Sequence, residues 1–228
     1  MKVAEIYKSI QGEGLLTGVT SVFVRTSGCN LRCWFCDTPW ASWQPEGRDY
    51  SVDDILAGIE EWDASHAVLT GGEPMLFAEL IPLTERLRQR RVHVTVETAG
   101  TLYLPVHCDL MSISPKLASS GPGDAAGPGW RRRHERDRLR MDVLNRLIAE
   151  YDYQLKFVVD RASELDEVEE LLDGLDTYEP ERVLLMPQSQ TLEEVKQRAV
   201  WLKPHCSDRG YTYCPRRQLE WFGSARGT

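Results

Sequence analysis

The chain has 228 residues, enough for one domain or one domain with embellishments. At 42% hydrophobic and 27% charged it has an ordinary soluble globular composition, and a formal net charge of −8 argues against a general nucleic-acid or anionic-membrane binder. Six cysteines are too few for a disulfide scaffold and suit a reducing cytoplasm. Met1-Lys2-Val3-Ala4-Glu5-Ile6 has no signal core, and no segment reaches the ~18 apolar residues of a membrane span.

The first feature along the chain is Ile10-Gln11-Gly12-Glu13-Gly14. It reads as a plain loop with two glycines, or as an amide and a carboxylate suited to a pterin or guanine edge. Val22-Phe23-Val24-Arg25 alternates at the strand period and leads into a cysteine-rich loop. Ser51 starts a helix with an acid three residues on, and Val52, Ile55, Leu56, Ile59 and Trp62 form its apolar stripe. Ala67-Val68-Leu69-Thr70 is a buried strand ending at Gly71-Gly72-Glu73-Pro74. A helix follows from about Ala78 to Arg90, with Pro82 tolerable near its start. Strands are expected at Val92 to Val96 and Asp109 to Ser114.

Residues 118–130 are small and rich in glycine and proline, which fits a disordered surface insert or a mobile lid equally. The arginine-rich run 131–140, interleaved with Glu135 and Asp137, reads as a solvated helix face. Strands at Gln154 to Val159 and Arg182 to Met186 bring the number to about six. Helices near Glu164 to Leu172 and Thr191 to Leu202 separate the last ones, the second opened by a capping box. Alternating strand and helix implies parallel strands with right-handed crossovers. Six units are fewer than a closed barrel's eight, so the expected fold is α/β: an incomplete, open parallel β/α barrel. It should form a single domain over residues 1–228, with active groups at the C-terminal ends of the strands.

Cys29, Cys33 and Cys36 have the spacing C-x3-C-x2-C. Thiolates hold iron–sulfur clusters, and a four-iron cubane with three protein ligands keeps one iron open for chemistry. A zinc site would normally use C-x2-C pairs and a fourth ligand, and nothing near the triplet in sequence supplies one. Cys108, Cys206 and Cys214 are scattered and read as small buried hydrophobes.

The triplet resembles the signature of the radical S-adenosylmethionine (SAM) superfamily. The turn Gly71-Gly72-Glu73-Pro74, some 35 residues on, resembles that superfamily's second motif, which binds the methionine amino group. The ordered set of Gln11 to Gly14, Arg25, Cys36-Asp37-Thr38, Thr70, Glu97 to Thr101 and Ser114-Pro115-Lys116 resembles the 7-carboxy-7-deazaguanine synthase family. It returns weakly at Leu185 to Gln188 and Cys214 to Gly223.

The resemblance implies a [4Fe-4S] cluster on the three cysteines and SAM against Phe35, Cys36, Asp37, Gly72, Ser114, Pro115 and Lys116. It implies a pterin substrate held by Gln11, Gly12, Glu13, Arg25, Thr70 and Gln218, the last standing where relatives often carry histidine. It gives Thr38 to a magnesium ion and a part near the reaction to Arg25, Asp37 and Glu97, with Gln188 near the adenine. The implied reaction converts 6-carboxy-5,6,7,8-tetrahydropterin to 7-carboxy-7-deazaguanine with loss of ammonia, in deazapurine (queuosine-type) biosynthesis. A deoxyadenosyl radical would take the pterin C6 hydrogen and later return it. A homodimer and an external flavodoxin- or ferredoxin-like electron donor are implied too. Two other readings use part of the same motifs. A glycyl-radical-activating enzyme would not need Gln11 to Gly14, and a non-catalytic electron-transfer protein would need four protein ligands and no SAM turn.

Overall fold

A computed structural model describes residues 1–223 and 225–227. The chain opens with β1 (Lys2–Ile10), a strand that alternation does not announce because most of its residues are only half-buried. It runs antiparallel to β2 (Thr20–Thr26), with Tyr7 and Phe23 stacked at 5.2 Å. The loop after β2 carries the three cysteines and ends in the short helix α1 (Pro39–Ser42). β3 (Arg48–Asp49) adds two residues beside β1.

From there strand and helix alternate: α2 (Val52–Glu60), β4 (His66–Gly71), α3 (Leu80–Gln89), β5 (His93–Thr98) and β6 (Leu110–Ile113). α4 (Gly127–Asp137), α5 (Met141–Glu150), β7 (Tyr153–Val159), α6 (Leu165–Asp173) and β8 (Val183–Pro187) follow. The last elements are α7 (Leu192–Arg209), β9 (Thr212–Tyr213) and α8 (Arg217–Trp221). The sheet order is β3-β1-β2-β4-β5-β6-β7-β8-β9. β2, β4, β5, β6, β7 and β8 are the six parallel strands expected from the alternation. The ends do not meet: two-residue strands close both edges, so the barrel stays open. Fully buried β6 and β8 show why these strands read as continuous apolar runs, since parallel strands are covered on both faces.

Three expectations need correction. Trp62 is not part of the α2 stripe: it lies past the helix end and is 43% exposed, while Ile55, Leu56 and Ile59 are buried. α7 does not stop at Leu202 but runs through Pro204 to Arg209. The carbonyl that Pro204 cannot satisfy belongs to Val200, which is 76% exposed, so water can replace the missing donor. The segment 118–130 is not an unstructured insert. It makes two single-turn 3-10 helices, Ala118–Ser120 and Asp124–Ala126, and starts α4, with Ser120 and the α4 residue His134 buried. No helix among the described residues is long and apolar enough to cross a membrane.

Candidate active site

The C-terminal ends of the parallel strands open into a cavity of about 280 Å3. One wall is the cysteine loop. Cys29, Cys33 and Cys36 all line the cavity, half-buried, and none forms a disulfide. The loop is pinned from several sides. Gly28 N donates to Ala41 O at 2.8 Å, Asn30 Nδ2 to Thr101 Oγ1 at 2.9 Å, and Trp43 Nε1 to Cys33 O at 3.0 Å. Arg32 Nη1 reaches back to Cys29 O at 2.8 Å. Burial pushes the Cys29 thiol up to about 12 and Cys33 to about 11, so lone thiolates are costly here and a bound cation would be needed to hold them. Among the described residues no three His, Cys, Asp or Glu side chains converge on a single-ion point. A cubane asks for something else, since each thiolate takes its own iron. The donor set fits that cluster.

The turn after β4 lies against this loop. Gly71 has φ of 146°, a conformation that glycine adopts freely. A Cβ on Gly72 would collide with the carbonyl oxygens of Gly28 and Ala41, so bare backbone is required there. Glu73 is fully buried beneath the turn. Its carboxylate accepts from Met75 N at 3.0 Å, Thr98 Oγ1 at 2.8 Å and Ala99 N at 2.8 Å. Burial raises its pKa, with those donors opposing. Next along the rim, Lys116 Nζ donates to the Ser114 carbonyl and hydroxyl, both at 2.7 Å. Ser114 and Lys116 line the cavity with Gly72 and Phe35, whereas Pro115 does not: it is buried between them.

The opposite wall is built from both chain ends. Gln11 Nε2 donates to Ser21 Oγ at 2.9 Å. Arg217 N donates to Gly12 O at 3.0 Å, and a side chain on Gly12 would strike Gln218, so the α8 segment packs on bare backbone. Glu13 sits between two cations, Lys156 at 2.6 Å and Arg216 at 3.3 Å, and also accepts from Gln218 Nε2. Burial alone would raise its carboxyl pKa. The charges of Lys156 and Arg216 outweigh that and hold it at about 2. Arg216 extends to Asp37 at 2.7 Å, tying this wall to the cysteine loop. Lys156 extends to Glu97 at 3.8 Å. Gln218 Oε1 is buried without a hydrogen-bond partner and the residue lines the cavity.

Arg25, from β2, donates Nε to Glu5 at 2.7 Å and Nη2 to the Tyr7 hydroxyl at 2.8 Å. Burial would lower its pKa, but Tyr7 and Glu5 raise it further, so it stays a cation. A guanidinium has five donors, and those two contacts leave others for an anion. Thr70, Glu97 and Gln188 line the same cavity. Thr38 stands at the N-terminus of α1 without using its hydroxyl as a cap.

Apart from Pro115, every residue to which the resemblance gives a site role borders one cavity, whereas the motif residues Gly14, Glu73, Pro74, Gly100 and Thr101 do not line it. Lys156, Arg216 and Tyr7 border the cavity too, with little in the local sequence to announce them. The signal for Lys156 was a charged residue at the strand period inside the apolar run Leu155-Lys156-Phe157. Arg216 lies within the weak stretch Cys214 to Gly223, and Tyr7 lies on strand β1, which alternation does not announce.

Comparison with known proteins agrees with this geometry. The profile of the Radical SAM superfamily matches residues 23–117. The chain is 46% identical over 227 residues to a 7-carboxy-7-deazaguanine synthase of Rhodopirellula baltica, covering 99% of this chain and 88% of that one. It is 43% identical to a 7-carboxy-7-deazaguanine synthase of Halobacterium salinarum, covering 100% and 93%. The crystal structure of QueE from Escherichia coli superposes with a TM-score of 0.73 at 25% identity, covering 95% of this chain and 93% of that one.

Proposed function

The chain belongs to the 7-carboxy-7-deazaguanine synthase family of radical SAM enzymes, and we propose that it converts 6-carboxy-5,6,7,8-tetrahydropterin to 7-carboxy-7-deazaguanine with loss of ammonia, in queuosine-type biosynthesis. One observation carries this reading: three thiols and a bare glycine turn face, across a single cavity, a carboxylate kept anionic by two cations. The first wall suits a cluster with SAM, the second a heterocycle with several N–H groups. Cys29, Cys33 and Cys36 hold the [4Fe-4S] cluster. Gly72, Ser114, Lys116, Phe35, Cys36 and Asp37 hold SAM, with Pro115 backing the segment and Gln188 near the adenine. Once bound, cluster and SAM supply a 5′-deoxyadenosyl radical, chemistry that belongs to the cofactor.

The protein's part is recognition and placement. Glu13, anionic and aimed by Lys156, Arg216 and Gln218, accepts from the amino-pyrimidine edge, beside Gln11, Gly12 and Thr70. Gln218, standing where relatives often carry histidine, acts here by donating its amide to Glu13. Arg25, oriented by Glu5 and Tyr7, pairs with the substrate carboxylate. Glu97 stands near the reacting ring. Thr38, whose hydroxyl is not spent on α1, would be the protein ligand of a magnesium ion that could neutralise the substrate carboxylate; magnesium prefers oxygen donors and uses few protein groups. Both walls together hold donor and acceptor carbons in near-attack geometry, away from water.

We place the enzyme in the cytoplasm, as a homodimer reduced by an external one-electron carrier. The deciding experiment is anaerobic incubation of reconstituted protein with SAM, magnesium, reductant and the carboxylated pterin. The deazaguanine product should appear by mass spectrometry, and its absence from protein with a full iron content would overturn the assignment. Cys33→Ala should lose the four-iron spectrum; an unchanged spectrum and iron count would remove Cys33 from the cluster.

A further inference from the structure

The arginine-rich helix α4 is not a free surface helix. It is clamped to the cysteine loop at Arg32, between Cys29 and Cys33. Arg32 N donates to His134 Nδ1 at 3.1 Å, and the other ring nitrogen of His134 meets Ser120 Oγ at 3.0 Å. The Arg32 guanidinium lies 3.8 Å over the Trp130 ring. The turn before α4 holds the neighbouring residue too: Trp34 N donates to Ser120 O at 3.2 Å, and Trp34 Nε1 to Ser119 O at 3.0 Å. His134 is fully buried, so these contacts fix α4 against the loop.

The outer face of α4 is basic on a chain that is acidic overall. Arg131, Arg132, Arg133 and Arg136 are all exposed. Set against Glu135 and Asp137 they leave a net charge of +2, so the remaining chain carries −10 of the total −8. Trp34, held against the turn that leads into α4, is 49% exposed although it lies within the C-x3-C-x2-C run. Arginine and tryptophan are the residue types enriched at interface hot spots. A negatively charged protein is repelled by the acidic parts of the chain and drawn to a basic face, and this one is fixed to the cysteine loop.

We propose that the exposed face of α4, with Trp34 at its edge, is the docking surface for a small acidic one-electron carrier protein. The inference rests on the radical chemistry proposed above, which requires an electron from outside. On docking, one electron leaves the carrier's reduced cofactor and enters the cluster, the carrier is oxidised by one electron, and no bond is made or broken. The clamp at Arg32 explains why the helix is held rigidly: the docking face and the cluster loop move as one body, so the carrier meets the cluster at a fixed distance.

The test uses the full chain with its cluster reconstituted, and a bacterial flavodoxin and an acidic ferredoxin as probes. Affinity is measured by titration, beside anaerobic SAM cleavage driven either by the reduced carrier or by dithionite. Arg132→Glu with Arg136→Glu should weaken carrier binding about tenfold or more at low salt and flatten its salt dependence. The same variant should slow carrier-driven cleavage and leave dithionite-driven cleavage unchanged. Arg132→Gln with Arg136→Gln should give an intermediate loss. Unchanged affinity for both carriers in the Glu variant overturns the proposal. So does binding of a short RNA to this face in place of any carrier. Failure of dithionite-driven cleavage in the unaltered protein would instead overturn the radical reading itself.

Discussion

Two buried carboxylates stand on opposite walls of the cavity, and they are treated in opposite ways. Glu73, under the Gly71–Pro74 turn, is surrounded by neutral donors: two backbone amides and a threonine hydroxyl. Glu13, on the N-terminal loop, is surrounded by Lys156, Arg216 and the Gln218 amide. Glu73 is fully buried and Glu13 nearly so, with 16% of its side chain exposed, yet the pKa of one is raised and that of the other is held at about 2. Partner charge, not burial, decides the difference. Neutral donors brace a turn; cations keep an acceptor anionic in a cavity. We read Glu73 as bracing the SAM side and Glu13 as facing the substrate.

The largest effect should come from removing the cation. Lys156→Met leaves Glu13 enclosed with Arg216 as its one remaining cation partner among the described residues and should cost about 3 kcal/mol at neutral pH, since a broken buried pair strands a charge. In the unaltered protein, Glu13's depressed pKa contributes stability that is present above the ordinary value of 4.5 and is lost as pH falls toward 2. In Lys156→Met that carboxyl takes up a proton at higher pH. The deficit in denaturant unfolding should therefore be larger at pH 7 than at pH 4; equal deficits would show that the pair is not the source.

Next is Glu73→Gln, which points an amide donor at groups that already donate and should cost about 1–3 kcal/mol. Its pH behaviour should be the reverse. A carboxyl with a raised pKa loses stability as pH rises through that value, so the substitution should hurt less at neutral pH than at pH 4. If both variants respond to pH in the same sense, the contrast between the two walls fails.

A smaller effect is expected at His134, held at about 4 chiefly by burial against an ordinary 6.5. Its neutral form accepts from Arg32 N. That stability is present above pH 6.5 and lost as pH falls through 4. His134→Phe should cost about 1–2 kcal/mol at pH 7, for the unpaired Arg32 amide, and should remove that part of the acid sensitivity. An unchanged melting profile between pH 7 and 5 would separate α4 from the cysteine loop. Smallest of all in stability is Thr38→Ala, expected to stay within about 0.5 kcal/mol because the hydroxyl caps nothing. It should nevertheless weaken the magnesium dependence of turnover, and an unaltered magnesium response would take Thr38 out of the metal site.

Much of this molecule was legible in one dimension. The six parallel strands are continuous apolar runs or alternations bounded by glycine and caps, and local pattern is enough for those. The cysteine triplet, the Gly71–Pro74 turn and Gln11 to Gly14 are short and contiguous, so their chemistry is written side by side. Strand β1 was not, because its mostly half-buried residues blur the period. α7 runs past its expected end at Leu202 because Pro204 is tolerated where the Val200 carbonyl faces water.

Residue types and local spacing thus determined the open β/α architecture, the thiol set and the bare turn, since each depends on neighbours within a few positions. Only the tertiary structure decided the substrate wall. There Glu13 meets Lys156 and Arg216 across 143 and 203 residues of chain, and Arg216 meets Asp37 across 179. It also turned a glycine-rich stretch and an arginine run into a rigid neighbour of the cysteine loop, through one buried histidine. Charge pairing in a closed cavity depends on distance in space, and a sequence records only distance along the chain.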